Sequence, residues 1–156
     1  MKIISWNVNG IRACYKKGLE AFVVREKPDI FCVQETKAHK EQVEPQILTL
    51  DSMTSYWSSA KRKGYSGVAT YLRVNSSAGP AGNSTENSTE NSTEVSYGIG
   101  NDAFDSEGRF VITQHRDFSV YNVYFPNGGS GEERHNFKQD FLKQFKNHLE
   151  KKISQG

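Results

Sequence analysis

Pro28-Asp29-Ile30-Phe31-Cys32-Val33-Gln34-Glu35-Thr36-Lys37 decides the fold, because four apolar residues stand unbroken between a proline stop and a polar exit. A run that short, without alternation, suits a strand covered on both faces. The strand predicted over 30–34 delivers Glu35 to its tip. Upstream, residues 2–6 read as another strand leading to Asn7, and residues 18–26 as a helix that Pro28 terminates. The chain therefore opens β-α-β. Two strand tips, one bearing an amide and the other a carboxylate, point to a phosphate site that uses a divalent metal.

Beyond residue 54 the pattern turns to strands, predicted over 55–59, 68–73, 95–98, 109–115 and 118–125. From Glu132 it becomes helical: Phe137, Phe141, Phe145 and Leu149 recur every fourth residue, with Leu142 and Ile153 beside them and the lysines largely away from that stripe. Glu132 and Glu133 occupy the first turn, where acidic groups favour the helix dipole. Such an amphipathic helix is expected to cover a sheet.

Residues 74–94 are of another kind. Of these 21, 18 are Asn, Ser, Thr, Glu, Gly or Pro, and Asn-Ser-Thr-Glu repeats three times from Asn83 to Glu94. So little apolar surface predicts a disordered insertion at about 74–94 within one partial domain over 1–156. The insertion holds three glutamates and no Lys or Arg, which leaves 20 basic residues against 15 acidic in the rest. The body is mildly basic, as a polyanionic partner requires. Cys32 sits inside the apolar run and Cys14 is the only other cysteine, which favours free thiols and a reducing compartment. Neither a charged leader nor a membrane-length apolar stretch is present, so no membrane association is expected. The expected location is intracellular: cytoplasmic in a bacterium, nuclear or mitochondrial in a eukaryote.

Two further stretches carry chemistry. Lys61-Arg62-Lys63-Gly64-Tyr65-Ser66-Gly67 sets three cations beside an aromatic residue, with glycines that let the backbone approach a phosphate chain. Its bland reading is a solvated charge run. Tyr124 closes an alternating strand just before Phe125-Pro126-Asn127-Gly128-Gly129, presenting a phenol beside a tight turn. Here the bland reading makes Tyr124 a wall of the core and Asn127 a turn former. For Asn7 and Glu35 the alternative is loop or helix capping.

Together, Trp6-Asn7-Val8-Asn9-Gly10, Gln34-Glu35-Thr36-Lys37, the basic aromatic loop and Asn122-Val123-Tyr124-Phe125-Pro126-Asn127-Gly128-Gly129 resemble the exonuclease III type of apurinic/apyrimidinic endonuclease, from Met1 to about Lys151. The resemblance implies an α/β fold, one half of a four-layered α/β sandwich with a mixed, mostly antiparallel sheet and helices on one face. It implies Mg²⁺-dependent phosphodiester hydrolysis in base-excision repair, with Mn²⁺ as a substitute, on double-stranded DNA containing abasic sites, with associated 3′-exonuclease or phosphatase action. Glu35 and Asn7 would be catalytic and metal-binding, and Tyr124 catalytic. Asn127, Tyr65, Lys61, Lys63 and Arg73 would contact DNA.

The family's later motifs, an Asp-x-Asn and a closing Ser-Asp-His, have no counterpart here. The chain is thus expected to match only the N-terminal half and to be impaired alone. Its inner sheet face is expected to stay bare, open to a second half-domain or to self-association. The alternative is a catalytically silent nucleic-acid-binding or interaction fragment. Ser130 and Asn9 depart from the family, whose members can hold a basic residue and an aspartate at those positions.

Overall fold

A computed structural model describes residues 1–73 and 93–155. The insertion expected at about 74–94 lies outside the described residues except for Thr93 and Glu94. Strands β1 (Ile3–Asn7), β2 (Ile30–Gln34), β3 (Thr54–Ser58) and β4 (Val68–Leu72) form one sheet in the order β1-β2-β4-β3. Only the β1–β2 pairing is parallel. Strands β5 (Glu94–Ser96), β6 (Phe110–Gln114) and β7 (Ser119–Val123) form a second, antiparallel sheet. Each predicted strand is present, within a residue or two of its expected ends.

Helices cover the outer face of each sheet. Helices α1 (Ile11–Lys16) and α2 (Leu19–Glu26) lay Ile11, Leu19 and Val23 on Phe31, Val33, Ala69 and Tyr71 of the first sheet. A short α3 (Pro45–Leu48) adds Ile47 to that core. On the second sheet, α4 (Asp102–Asp105) and α5 (Glu132–Ser154) bury Phe104, Phe110 and Phe141, with Phe110 stacked on Phe141 at 5.3 Å. The predicted stripe is correct at Phe137, Phe141 and Phe145 but overextended, since Ile153 is 80% exposed. Twenty-three helical residues outrun strands of five, so the last turns of α5 overhang the sheet.

The α/β class and mixed, mostly antiparallel pairing stand as expected, but the single sheet with a bare inner face is corrected. Two sheets are present and their inner faces meet: Ile30, Cys32 and Leu72 of the first pack against Phe118 and Val120 of the second. What stays open is the β1 rim, where Ile3 is 46% exposed. The amide of Asn122 pins the two sheets, donating to the Ala69 carbonyl (2.9 Å) and Thr70 Oγ1 (3.0 Å) and accepting from Gln34 Nε2 (2.7 Å). A buried amide this fully satisfied fixes how the sheets cross. Cys14 and Cys32 are both free, and no helix among the described residues is long and apolar enough to cross a membrane.

Candidate functional site

Parallel pairing of β1 with β2 sets Asn7 opposite Gln34, one residue from Glu35. The two exits stay bonded beyond the strands, through Val8 N–H to the Gln34 carbonyl (3.0 Å) and Gly10 N–H to the Glu35 carbonyl (2.7 Å). Glu35 itself is left-handed at φ 54°, rare for such a side chain, and the turn is held from outside. Thr36 N–H donates to the Gly67 carbonyl and Lys37 N–H to that of Ser66. A Cβ on Gly67 would fall 2.3 Å from Thr36 Oγ1, so only glycine permits this approach.

Tyr124 arrives from the other sheet. It lies two residues after Asn122 and on the same face, so the amide that pins the sheets also delivers the phenol to Glu35. Glu35 Oε1 accepts from Asn7 Nδ2 (3.0 Å) and from Tyr124 O–H (2.6 Å), while Lys37 Nζ stands 3.1 Å from Oε2. Lys37 also donates to Asn9 Oδ1, and Asn9 N–H to Asn7 Oδ1 (3.1 Å). The candidates Asn7, Glu35 and Tyr124 therefore meet at one carboxylate. Partial burial pushes the Glu35 carboxyl up, but the bonds from Asn7, Tyr124 and Lys37 and the lysine charge outweigh it and hold it below its ordinary range. Burial, then the bond to Glu35 and its charge, pushes Tyr124 up to about 12. At neutral pH the pair is carboxylate and phenol.

Beside this cluster opens a cleft of about 550 Å³, lined by five cationic residues, Lys37, Lys61, Arg62, Arg109 and Arg134, against the carboxylates of Glu35 and Glu107. Tyr65, Tyr124 and Asn127 also line it. Asn127 Oδ1 accepts from Gly129 N–H (2.8 Å), the local turn that the sequence suggested. Lys63 is exposed on the same loop as Lys61 but outside the lining. Arg73 must be corrected: it follows the opposite end of β4, where its guanidinium is engaged by Asp51 Oδ2 (2.7 Å) and the Pro28 carbonyl (3.1 Å). That is about 17 Å along the strand from the cleft, too far to share a contact with Tyr65.

Lys37, Arg109, Glu107 and Arg134 escaped sequence reading. Arg109 is 1% exposed, at the head of β6, where a Cβ on Gly108 would collide with Ser59 and Ala60 backbone. Its guanidinium donates to Glu107 Oε2 (2.7 Å), the Tyr124 carbonyl (2.8 Å) and Tyr65 O–H (3.0 Å), and lies 5.0 Å from the Tyr124 ring centre. The available signal was a charge preceding an apolar strand.

A divalent ion has no ready seat in this arrangement. Hard cations want several oxygens. This cluster offers one carboxylate whose Oε2 faces the Lys37 ammonium, and no group of three His, Cys, Asp or Glu capable of holding a metal occurs among the described residues.

The sequence profile of the Endonuclease/Exonuclease/phosphatase family matches residues 4–133. The chain is 35% identical to the exodeoxyribonuclease of Bacillus subtilis over 142 residues, 90% of this chain and 49% of that one. With the DNA repair nuclease APEX1 of Danio rerio identity is 33% over 151 residues, covering 96% and 44%. The crystal structure of the Xenopus laevis APE2 catalytic domain superposes with a TM-score of 0.75 at 30% identity, over 100% of this chain and 55% of that one. The chain thus spans about half the length of these relatives.

Proposed function

Because the chain belongs to the endonuclease/exonuclease/phosphatase family, we propose that it forms the N-terminal part of a DNA-repair phosphodiesterase of the exonuclease III or apurinic/apyrimidinic endonuclease type. The carrying observation is the meeting of Asn7, Glu35 and Tyr124 at the rim of a cationic cleft. The cleft takes the backbone of double-stranded DNA with an abasic site. Lys61, Lys63 and Tyr65 grip phosphates, Asn127 faces the scissile group, and Tyr124, neutral at working pH, turns its one hydroxyl hydrogen from Glu35 to a phosphate or departing oxygen. Until the substrate arrives, Glu35 holds the phenol in place. An intracellular compartment goes with this substrate.

The family's nucleases are in general metal-dependent. Mg²⁺, or Mn²⁺ in its place, would supply Lewis-acid charge at a centre that includes Glu35 and Asn7 once further oxygens are provided, as by a second half-domain. With one carboxylate on hand, the chain alone is impaired in cleavage.

The test is a duplex with one abasic site, incubated with the purified chain and Mg²⁺. Salt-sensitive binding is expected, with residual cleavage that Glu35→Ala abolishes. Cleavage unaffected by Glu35→Ala, or no salt-sensitive binding, overturns the reading. Binding with no cleavage at all selects the second reading, a silent nucleic-acid-binding fragment, which the engagement of both Glu35 oxygens favours.

A further inference from the structure

The hydroxyl of Tyr65 has an unusual set of partners. Arg109 Nη2 and Arg134 Nη2 both donate to it, each at 3.0 Å. A phenol oxygen has room for two such donors at most. Its accepting capacity is therefore filled, and the hydroxyl hydrogen remains as the single unused group. Among the described residues no acceptor takes it. The two arginines are fixed in turn. Glu107 clamps both, Oε2 to Arg109 Nε at 2.7 Å and Oε1 to Arg134 Nη1 at 3.2 Å, and Arg134 lies over the Phe137 ring at 4.3 Å.

The cleft shows a second unused hydroxyl. Ser66 is 2% exposed, lines the same wall, and its Oγ has no partner. What this wall lacks is an acceptor, and its surplus of cations selects an anionic one.

We infer that Arg109 and Arg134 are positioning residues that commit the Tyr65 hydroxyl to donating into the cleft, making Tyr65 an oriented hydrogen-bond donor for a phosphate oxygen. This rests on the DNA reading for its natural ligand, but the donor geometry does not depend on hydrolysis. Glu107 keeps the two guanidiniums from repelling each other. Arg134 acts through Tyr65 rather than on the ligand, which separates it from Lys61 and Arg62.

A labelled duplex containing one abasic-site analogue, titrated by anisotropy across KCl, reads the difference. Tyr65→Phe keeps the ring and loses the donor, so affinity is expected to fall about tenfold at fixed salt, while the dependence on salt stays as in the wild type because no charge is lost. Arg134→Lys retains the charge but not the fork. It is expected to weaken binding several-fold in the wild-type background and to change little in the Tyr65→Phe background. Equal binding by Tyr65→Phe, or an Arg134→Lys loss of the same size in both backgrounds, overturns the inference.

Inorganic phosphate, titrated against the chain carrying ¹³C-labelled tyrosine, gives an independent reading. The ring signal that Tyr65→Phe removes is expected to move on phosphate addition in the wild type and to move less in Arg134→Lys. A wild type that ignores the duplex sinks the DNA reading alone if this signal still moves. A signal that stays put sinks the donor site.

Discussion

The two ends of the four-stranded sheet carry similar charges under different arrangements. At the end where β2 begins, Lys2 pairs with Glu26 (2.7 Å), Arg73 with Asp51 (2.7 Å), and Asp29 accepts from Lys2 N–H (2.6 Å). Lys2 shares Glu26 with Arg25 (2.8 Å), and Arg73 has Asp51 to itself. At the other end Lys61, Arg62 and Lys63 form no ion pair among the described residues, while Arg109 and Arg134 share the one carboxylate of Glu107. At the first end Lys2, Arg25 and Arg73 are all engaged by carboxylates. The second holds surplus positive charge and an uncommitted donor beside Tyr124, which is how a surface is left ready for an anion. Charge content alone does not distinguish the two ends; the run of unpaired cations over 61–63 does.

The sharpest way to break this comparison is to remove one arginine from each end. Arg109→Met takes the buried donor from Glu107 Oε2 and the Tyr124 carbonyl, while Glu107 keeps Arg134, and is expected to cost about 1–3 kcal/mol of stability by urea unfolding. Arg73→Met removes a pair whose partners are each 28% exposed, and about 0–1 kcal/mol is expected. Equal losses would mean that Arg109 is no more central than a surface ion pair. For DNA the two ends part again. Lys61→Ala with Lys63→Ala is expected to weaken duplex binding by up to about a hundredfold at low salt, and to flatten the plot of log affinity against log salt by about two. Arg73→Ala is expected to leave both untouched.

A smaller effect concerns the cation beside Glu35. Because the Lys37 ammonium already neutralises Oε2, Mn²⁺ is expected to bind the chain weakly, and Lys37→Met to tighten it about tenfold, with Glu35→Gln cancelling the gain. Electron paramagnetic resonance of free Mn²⁺ measures this without an activity assay. Unchanged or weaker binding by Lys37→Met would show that the lysine does not compete for the carboxylate.

How much of this was legible differs residue by residue. Asn7 and Glu35 could be placed because each follows an apolar run whose end is locally marked, and parallel pairing of adjacent strand tips needs no long-range knowledge. Tyr124 was legible because it closes an alternating strand just before a glycine-rich turn. Arg73 was misplaced because strand ends look alike in sequence, and only the antiparallel pairing of β4 on β2 reveals which end meets Glu35. The second sheet was missed for a related reason, since a list of strands does not say which ones pair. Arg109 stayed hidden because its importance lies in Tyr65, Glu107 and Tyr124, brought together from separate segments by tertiary packing.

The finest test of the cleft end is its titration. Glu35 is held below the ordinary carboxylate value in the folded chain, so its contribution to stability is present above that value and is lost as pH falls through the depressed one. Tyr124 runs the other way: pushed from 10 up to about 12, it contributes fully below pH 10, and that contribution is lost as pH rises through about 12. The two shifts share one hydrogen bond, which Tyr124→Phe removes. In that variant Asn7 and Lys37 still favour the Glu35 carboxylate, so its titration, followed by carboxyl ¹³C shifts, is expected to move up only part of the way. The alkaline step assigned to Tyr124 is expected to vanish from the tyrosinate absorbance. A Glu35 that titrates identically with and without the phenol would mean that no such bond forms in solution. The carboxylate would then be held by the β1–β2 edge alone, and the second sheet would contribute nothing to the charge state of the site.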